Sequence, residues 1–230
     1  GQLGLVFSVK EKDASAYVFG VLPEKKEIPL YGIENVLMVQ FIPGSFTWAT
    51  GIPADEVPPE GFKLEDVFPW ALSTMEGINA VDSEQEHSLL LRRFLDQCQA
   101  KKTGRRDSDE KMAASIAGYM MQNRRAVRMK ELEDRYGYTA RTLQKLVLKN
   151  VGITPKQLSL QICLQSAIRQ LSDNKECSLT EMSHQMDFYD QSHFNRIFRK
   201  MTGLCPGEYI KRLEGRAAGE EPKQIKHALS

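Results

Sequence analysis

Apolar residues in the C-terminal half of the chain recur at helical spacing, and the clearest pattern lies near its end. Ser178 followed by Glu181 is a capping-box pattern, which predicts that a short helix begins at Ser178. The pattern is interrupted at Asp187, and Asp190 is predicted to cap a second helix that ends at Gly203. The apolar positions of this second helix are Phe194, Ile197, Phe198 and Met201. Two short helices joined by a tight turn are typical of a helix-turn-helix unit.

A second pattern of the same kind lies upstream. Gly137 and Tyr138 are predicted to form a turn, and Thr139 is predicted to cap the helix that follows. The apolar positions of the two helices are Met129, Leu132, Tyr136, Leu143, Val147 and Val151. The second helices of the two units, the recognition helices, are therefore predicted at about residues 139–151 and 190–202.

A longer helix is predicted between the two units. Thr154-Pro155 is a favourable start, because proline suits the first helical position, and apolar residues continue to about residue 172. At about 1.5 Å per residue, these roughly 18 residues span about 27 Å. Another helix is predicted to begin at Asp107, which forms a capping-box-like pattern with Glu110. The second half of the chain is therefore predicted to be all-α, with two helix-turn-helix units joined by a linker helix.

The N-terminal part has the composition of β-strands. Runs rich in β-branched and aromatic residues occupy positions 5–9, 16–22 and 36–42. Seven of the ten prolines lie between positions 23 and 69, so the chain is expected to be irregular at 52–69, with short helical turns near Phe46 and Leu64. A helix is predicted at about residues 83–101. Its apolar stripe would pack within the monomer or against a second subunit.

The predicted fold class is therefore α+β, a small antiparallel β-sheet domain followed by an all-α domain. The predicted organisation is an N-terminal domain at 1–100, a linker at 101–106, the helical domain at 107–216 and a disordered tail at 217–230. Because the chain begins with Gly1 and not with methionine, the N-terminal domain is expected to be incomplete at its start.

The distribution of charge separates the two halves. Residues 124–216 contain 17 Lys and Arg against 10 Asp and Glu, whereas residues 1–123 contain 12 against 18. The overall net charge of +1 hides this difference. A basic half joined to an acidic half is the pattern expected of a nucleic-acid-binding domain with a separate regulatory domain.

Other function classes find little support in the sequence. No apolar stretch reaches the roughly 18 residues needed to cross a bilayer, and the N-terminus lacks a signal-peptide pattern, so a cytoplasmic protein with no membrane partner is expected. The cysteines have no metal-ligand spacing and are expected to be reduced and partly buried. H-E-x-x-H, P-loop and G-x-S-x-G motifs are absent from the sequence. No catalytic residue, metal or cofactor is therefore predicted.

Polar residues on the two predicted recognition helices have the chemistry of DNA contacts. Arginine donates two hydrogen bonds to guanine, glutamine and asparagine pair with adenine, and lysine and arginine hold phosphates. The candidate DNA-binding residues are Arg196, Gln191, Ser192, His193, Asn195, Arg199, Arg141, Thr142 and Lys145. On spacing alone, a helical hairpin with a solvated basic face is the alternative.

The run FYDQSHFNRIFR at 188–199, continued by Thr202-Gly203, Pro206 and Tyr209, resembles the signature of AraC/XylS-type transcription regulators. The resemblance implies that both recognition helices contact one face of the DNA and commonly bend it. Double-stranded DNA is the implied partner, with RNA polymerase, a small-molecule effector and a second copy of the chain in a homodimer as further candidates. Two positions depart from the family pattern, since Asp187 replaces a turn glycine and Glu133 replaces an alanine between two helices. A carboxylate at position 133 is expected to be costly unless it turns to solvent or meets a cation such as Lys145 or Lys149.

The N-terminal stretch VQFIPGSFTWATGIPADEV, followed by KLEDVF, resembles a truncated cupin-like sensor domain. Several aromatic residues in this part could line a pocket for an apolar ligand, and ordinary core packing is the alternative. These residues are Phe41, Phe46, Trp48, Phe62, Phe68 and Trp70.

The leading functional hypothesis is a sequence-specific transcription regulator of AraC type, whose activity is modulated through the N-terminal domain. Arg196 is its strongest candidate for a base contact. Two alternatives remain at this point: a regulator that acts through protein contacts with weak or no specific DNA binding, and an enzyme whose C-terminal half serves for targeting.

Overall fold

The computed structural model describes residues 4–9, 14–21, 35–58, 60–81, 83–101, 108–173 and 190–217. The predicted helix start at Ser178 and the predicted turn at Asp187 lie outside these ranges. Cys177 and most of the predicted linker and tail also lie outside them.

The N-terminal strands form one antiparallel sheet in the order β3-β1-β2-β4. The strands are β1 Gly4–Val9, β2 Ala14–Phe19, β3 Asn35–Gln40 and the two-residue β4 Phe62–Lys63. Ala16 and Val18 are buried and alternate with half-buried neighbours, as one covered face requires. The small antiparallel sheet is thus confirmed, and β4 was not predicted.

Two strands end earlier than predicted. The predicted end of β3 at Ile42 is wrong, because the Ile42 carbonyl accepts hydrogen bonds from the backbone N–H and the hydroxyl of Ser45 and so begins a turn. Strand β2 stops at Phe19. At the next position, a Cβ added to Gly20 would lie 2.7 Å from the Val57 carbonyl oxygen, so the backbone of another segment occupies this place.

Among the described residues of the N-terminal part, four helices and one 3-10 turn accompany the sheet. They are α1 Phe46–Thr50, the 3-10 turn Ala54–Glu56, α2 Leu64–Val67, α3 Ala71–Asn79 and α4 Glu84–Lys101. The helical turns near Phe46 and Leu64 are confirmed, and so is α4. Phe94 and Cys98 of α4 are buried in the core beneath the sheet, so its apolar stripe packs within the monomer.

The aromatic residues of this part pack against one another. The rings of Phe41 and Phe46 meet edge to face with centroids 5.2 Å apart, and the Trp70 ring lies 5.1 Å from that of Phe94. The cavity beside Phe41 and Phe46 measures about 10 Å³, which is close to the least space that holds one water molecule. Core packing, the alternative to a ligand pocket, therefore describes these two rings.

The C-terminal part consists of helices around two further apolar cores. The helices are α5 Ser108–Asn123, α6 Met129–Tyr136, α7 Ala140–Val151, α8 Pro155–Asp173, α9 Gln191–Thr202 and α10 Pro206–Ala217. Leu158 and Ile162 of α8 belong to the first core, whereas Cys163 and Ala167 of the same helix belong to the second. The predicted linker helix is confirmed, and it holds the two cores together.

The N-terminal part contacts α7 directly. Val21 packs against the N-terminal core and against the first C-terminal core. Gly152, which ends α7 with a φ of +83°, lies so close to the 3-10 turn that an added Cβ would be 2.9 Å from the Ala54 carbonyl oxygen. A larger residue at position 152 would therefore be excluded by both backbone conformation and space.

Within the described parts of the chain, each helix is either too short or too polar to span a bilayer. Cys98 and Cys163 are buried, and Cys205 is half-buried. These three thiols are thus placed as the sequence predicted.

Candidate nucleic-acid interface

The first helix-turn-helix unit is built from α6 and α7. Helix α6 ends at Gly137, whose φ of +71° is left-handed and whose N–H donates to the Glu133 carbonyl at 2.8 Å. Thr139 then caps α7, as predicted, and accepts a long hydrogen bond of 3.4 Å from the Thr142 N–H. The sharp change of direction between the two helices follows from the glycine, because few other residues adopt this conformation without strain.

Glu133 has a role that the sequence did not predict. Its carboxylate accepts a hydrogen bond of 2.7 Å from the backbone N–H of Ala140, the first residue of α7. The sequence reasoning considered only solvent or a cation as partners of Glu133, and the backbone amide of Ala140 is an additional partner. The first amides of a helix have no partner within the helix and carry partial positive charge, so they stabilise this half-buried carboxylate.

Helix α7 divides into a buried and an exposed face. Its buried residues are Leu143, Val147, Asn150 and Val151. The predicted DNA-binding residues Arg141, Thr142 and Lys145 are all exposed. The spacing of three and four residues along each face separates the core side chains from the polar ones.

A polar cluster fixes α6 against α5. The Tyr119 hydroxyl donates a hydrogen bond to Glu131, and the Arg125 guanidinium donates two, at 2.9 and 3.1 Å. Arg125 and then Tyr119 hold the pKa of Glu131 below its usual range, while the hydrogen bond to Glu131 raises the pKa of Tyr119. The Arg135 guanidinium lies 4.2 Å from the centre of the Tyr119 ring. These contacts orient α6, and α6 in turn supports α7.

The second unit has a recognition helix, α9, of similar construction. Asp190 caps it by accepting a hydrogen bond of 2.6 Å from the His193 N–H, and Gly203 ends it with a φ of +79°. Phe194 and Phe198 are fully buried, and the Phe198 ring meets that of Tyr209 at 5.5 Å. The predicted cap, core residues and end of this helix are confirmed.

The predicted contact residues of α9 are placed unequally. Ser192, Arg196 and Arg199 are exposed, whereas Gln191, His193 and Asn195 are half-buried. The oxygen of the Asn195 amide is enclosed by protein. An open groove of about 500 Å³ is lined by the cap residue Asp190 and by three of the predicted residues, Ser192, His193 and Arg196.

Both units border one cleft of about 590 Å³. Gln144 of α7, Lys156 of α8 and His193 of α9 contribute polar side chains to its lining, and Ile197 contributes an apolar one. Lys156 was missed as a candidate contact residue by the sequence reasoning. Its position directly after Pro155, at the start of the linker helix, is the signal that could have found it, because this end of the helix lies beside α7.

Residues 132–212 match the family described as "Helix-turn-helix domain". The matched segment begins within α6 and ends within α10, and so it covers both units. The chain carries an AraC-type helix-turn-helix domain. DNA binding is thereby assigned to this domain, in agreement with the resemblance of residues 188–199 to the AraC/XylS signature.

Curated relatives of the AraC-type domain are named as transcription regulators. The chain is 29% identical over 100 residues to the HTH-type transcriptional activator RhaS of Pectobacterium carotovorum, a match that covers 43% of this chain and 36% of that protein. It is 30% identical over 78 residues to the uncharacterized transcriptional regulatory protein YesN of Bacillus subtilis, covering 34% and 21%. The similarity thus spans about a third or less of these relatives.

Two solved structures superpose loosely on the chain. A probable AraC family transcriptional regulator from Rhodopseudomonas palustris has 25% identity and a TM-score of 0.41, covering 45% of this chain and 97% of that one. ToxT from Vibrio cholerae has 15% identity and a TM-score of 0.43, covering 94% and 87%. The match of residues 132–212 identifies the helix-turn-helix domain.

Proposed function

We propose that this protein is a sequence-specific transcription regulator that acts by binding double-stranded DNA, without a catalytic step. In this proposal, α7 and α9 read successive major grooves on one face of the duplex. The AraC-type domain and the transcription regulators among its relatives support the proposal.

One observation carries it: the two recognition helices have the same construction and belong to two apolar cores that share α8. Each begins with a backbone N–H bonded to a carboxylate, buries apolar side chains on one face and exposes arginine on the other. The 19 residues of α8 give a length of about 28 Å. Successive major grooves on one face of DNA are about 34 Å apart, so the connector has a suitable length.

The candidate contacts fall into two groups. Arg196 is assigned to a bidentate contact with guanine, with Arg141, Lys145, Gln191 and His193 as further base contacts. Arg199 is assigned to a phosphate, since it lies in the last turn of α9. Lys156, exposed beside the cleft between the units, is assigned to the backbone that passes between the two grooves.

The rest of the chain is assigned a regulatory role. We take 1–100 as the sensing domain, 101–106 as the linker and 107–216 as the DNA-binding domain. The contact of Gly152 with the 3-10 turn gives the sensing domain direct access to α7.

The further proposed partners are RNA polymerase, a small effector and a second copy of the chain. The cytoplasm is the proposed location. The alternative of a regulator without specific DNA binding is less well supported, because Arg196 remains exposed.

The test is a selection of bound sequences from a pool of random duplexes, carried out with the wild type and with Arg196→Ala. We expect the wild type to enrich one site and the variant to lose the preference at one base pair, a loss of about 1 to 3 kcal/mol of discrimination. Arg92→Ala, which removes an exposed cation from α4, is the matched control and should enrich the wild-type site. An Arg196→Ala site identical to that of the wild type would refute the assigned contact.

A further inference from the structure

The carboxylate of Glu133 lies where a recognition helix would otherwise present a free amide. It accepts the Ala140 N–H at 2.7 Å, at the first residue of α7. The N-cap residue Thr139 is neutral, and its hydroxyl accepts the Thr142 N–H at a long distance of 3.4 Å. The negative charge at this helix start is therefore supplied by α6 and not by the cap itself.

Helix N-termini are sites at which DNA-binding proteins hold phosphates. Their free N–H groups and partial positive charge favour an anion, and such contacts carry no sequence information. A carboxylate bonded to the first amide occupies that amide and repels a second anion. Glu133 thus competes with the DNA backbone at the start of α7.

In the second unit, a carboxylate also accepts a backbone N–H at the start of the recognition helix, but it comes from a different position. There the N-cap residue itself, Asp190, accepts the His193 N–H at 2.6 Å. In the first unit the carboxylate comes from the preceding helix, so it also ties α6 to α7 across the turn. Loss of Glu133 therefore affects both the charge at the start of α7 and the seating of the helix.

We propose that Glu133 is a positioning residue that determines specificity in the first unit. It seats α7 on α6 and excludes phosphate from the helix start, so that the exposed side chains of α7 contact bases. This inference rests on the proposed DNA-binding function.

Two substitutions separate the seating from the charge. Glu133→Gln keeps an oxygen that accepts the Ala140 N–H but removes the negative charge, whereas Glu133→Ala removes both. Asp134→Asn is the matched control, because it removes an equal charge from the next residue of α6. Asp134 is exposed and lies 3.0 Å from Lys130.

The measurement is the affinity of the full chain for random duplex and for the site that the wild type enriches, by fluorescence anisotropy. For Glu133→Gln we expect random-duplex affinity to rise by roughly two- to fivefold over that of Asp134→Asn, the effect of one charge at a helix terminus. The base preference of the first half-site should fall less than in Glu133→Ala, because glutamine still accepts the Ala140 N–H and keeps α7 seated. For Glu133→Ala we expect that preference to fall, with the half-site read by Arg196 unchanged.

The inference is overturned if Glu133→Gln and Asp134→Asn bind random duplex alike, or if Glu133→Ala keeps the full preference in both half-sites. Glu133→Gln retains the hydrogen bond, so its affinity for random duplex decides the question even if Glu133→Ala fails to fold. A wild type that enriches no site would instead refute the proposed function, and this inference with it. Failure of the wild type and failure of the variants are thus separate results.

Discussion

Glu131 lies where α5, the loop after it and α6 meet, and it receives hydrogen bonds from two of the three. Arg125 donates two hydrogen bonds to its carboxylate and Tyr119 donates one. Because these donors favour the charged form, the folded-state pKa of Glu131 is lowered. The packing of the first unit therefore depends on an ionised side chain that is not a candidate for a base contact.

The stability of the first unit should depend on acid through this residue. A lowered folded-state pKa contributes stability that is fully present above the unfolded value of about 4.3 and is lost as the pH falls through the folded value. We expect Glu131→Gln to be less stable than the wild type at pH 6, with the difference shrinking below about pH 4.3.

The measurement is the free energy of unfolding in urea between pH 3.5 and 6. Arg125→Ala is the companion variant, since it removes the largest cause of the shift and should flatten the acid dependence. An equal gap between wild type and Glu131→Gln at both ends of this range would contradict the assigned role.

At the scale of elements, the recognition helices could be predicted because local signals agree on them. Asp190 and Thr139 are good caps, Gly203 and Gly152 are good helix ends, and apolar residues occupy one face between them. Helix α3 was missed although Ala71, Thr74, Met75 and Ile78 have helical spacing and are buried. Its start has no side-chain cap and directly follows a proline-rich stretch. Because prolines interrupt helices, this stretch indicated irregular structure.

Two other features could not be predicted because they depend on tertiary neighbours. Strand β4 has two residues and pairs only because Tyr17 and Val18 lie opposite them. The hydrogen bond between Glu133 and Ala140 crosses the turn between α6 and α7. The family pattern marks Glu133 only as a replacement of alanine, so it does not predict this bond. Helical spacing predicts that residues such as Lys145 and Arg196 are exposed, and they are, whereas the contacts that seat the helices depend on residues outside each helix.

The second core should depend strongly on one ring of α9. Phe198 is fully buried and contacts the rings of Phe194 and Tyr209. We expect Phe198→Ala to lower the free energy of unfolding by about 3 to 5 kcal/mol, the usual result of removing a buried aromatic side chain. Arg199→Ala, at the exposed neighbouring position, should change it by about 0.5 kcal/mol or less.

Urea unfolding followed by circular dichroism measures both variants. A Phe198→Ala protein as stable as Arg199→Ala would show that α9 is not held by this core. It would also remove the basis for treating α9 as a rigid recognition helix.

In the whole molecule, the two C-terminal cores share α8. The third core lies in the N-terminal part, which contacts α7. Leu158 and Cys163 of α8 lie in different cores, so the distance between the two units is set by one continuous helix. The basic charge is concentrated in residues 124–216, which contain both units. Shape and charge therefore both favour one extended surface for DNA, with the acidic N-terminal part beside its first reading helix.

Methylation interference at guanine N7 on the enriched site shows which bases the two recognition helices contact, because this atom lies in the major groove. We expect two clusters of interfering guanines on one face of the duplex, centred about 10 base pairs apart. The cluster read by α9 should be lost with Arg196→Ala. A single cluster, or binding that no methylated guanine disturbs, would contradict the reading of two successive major grooves.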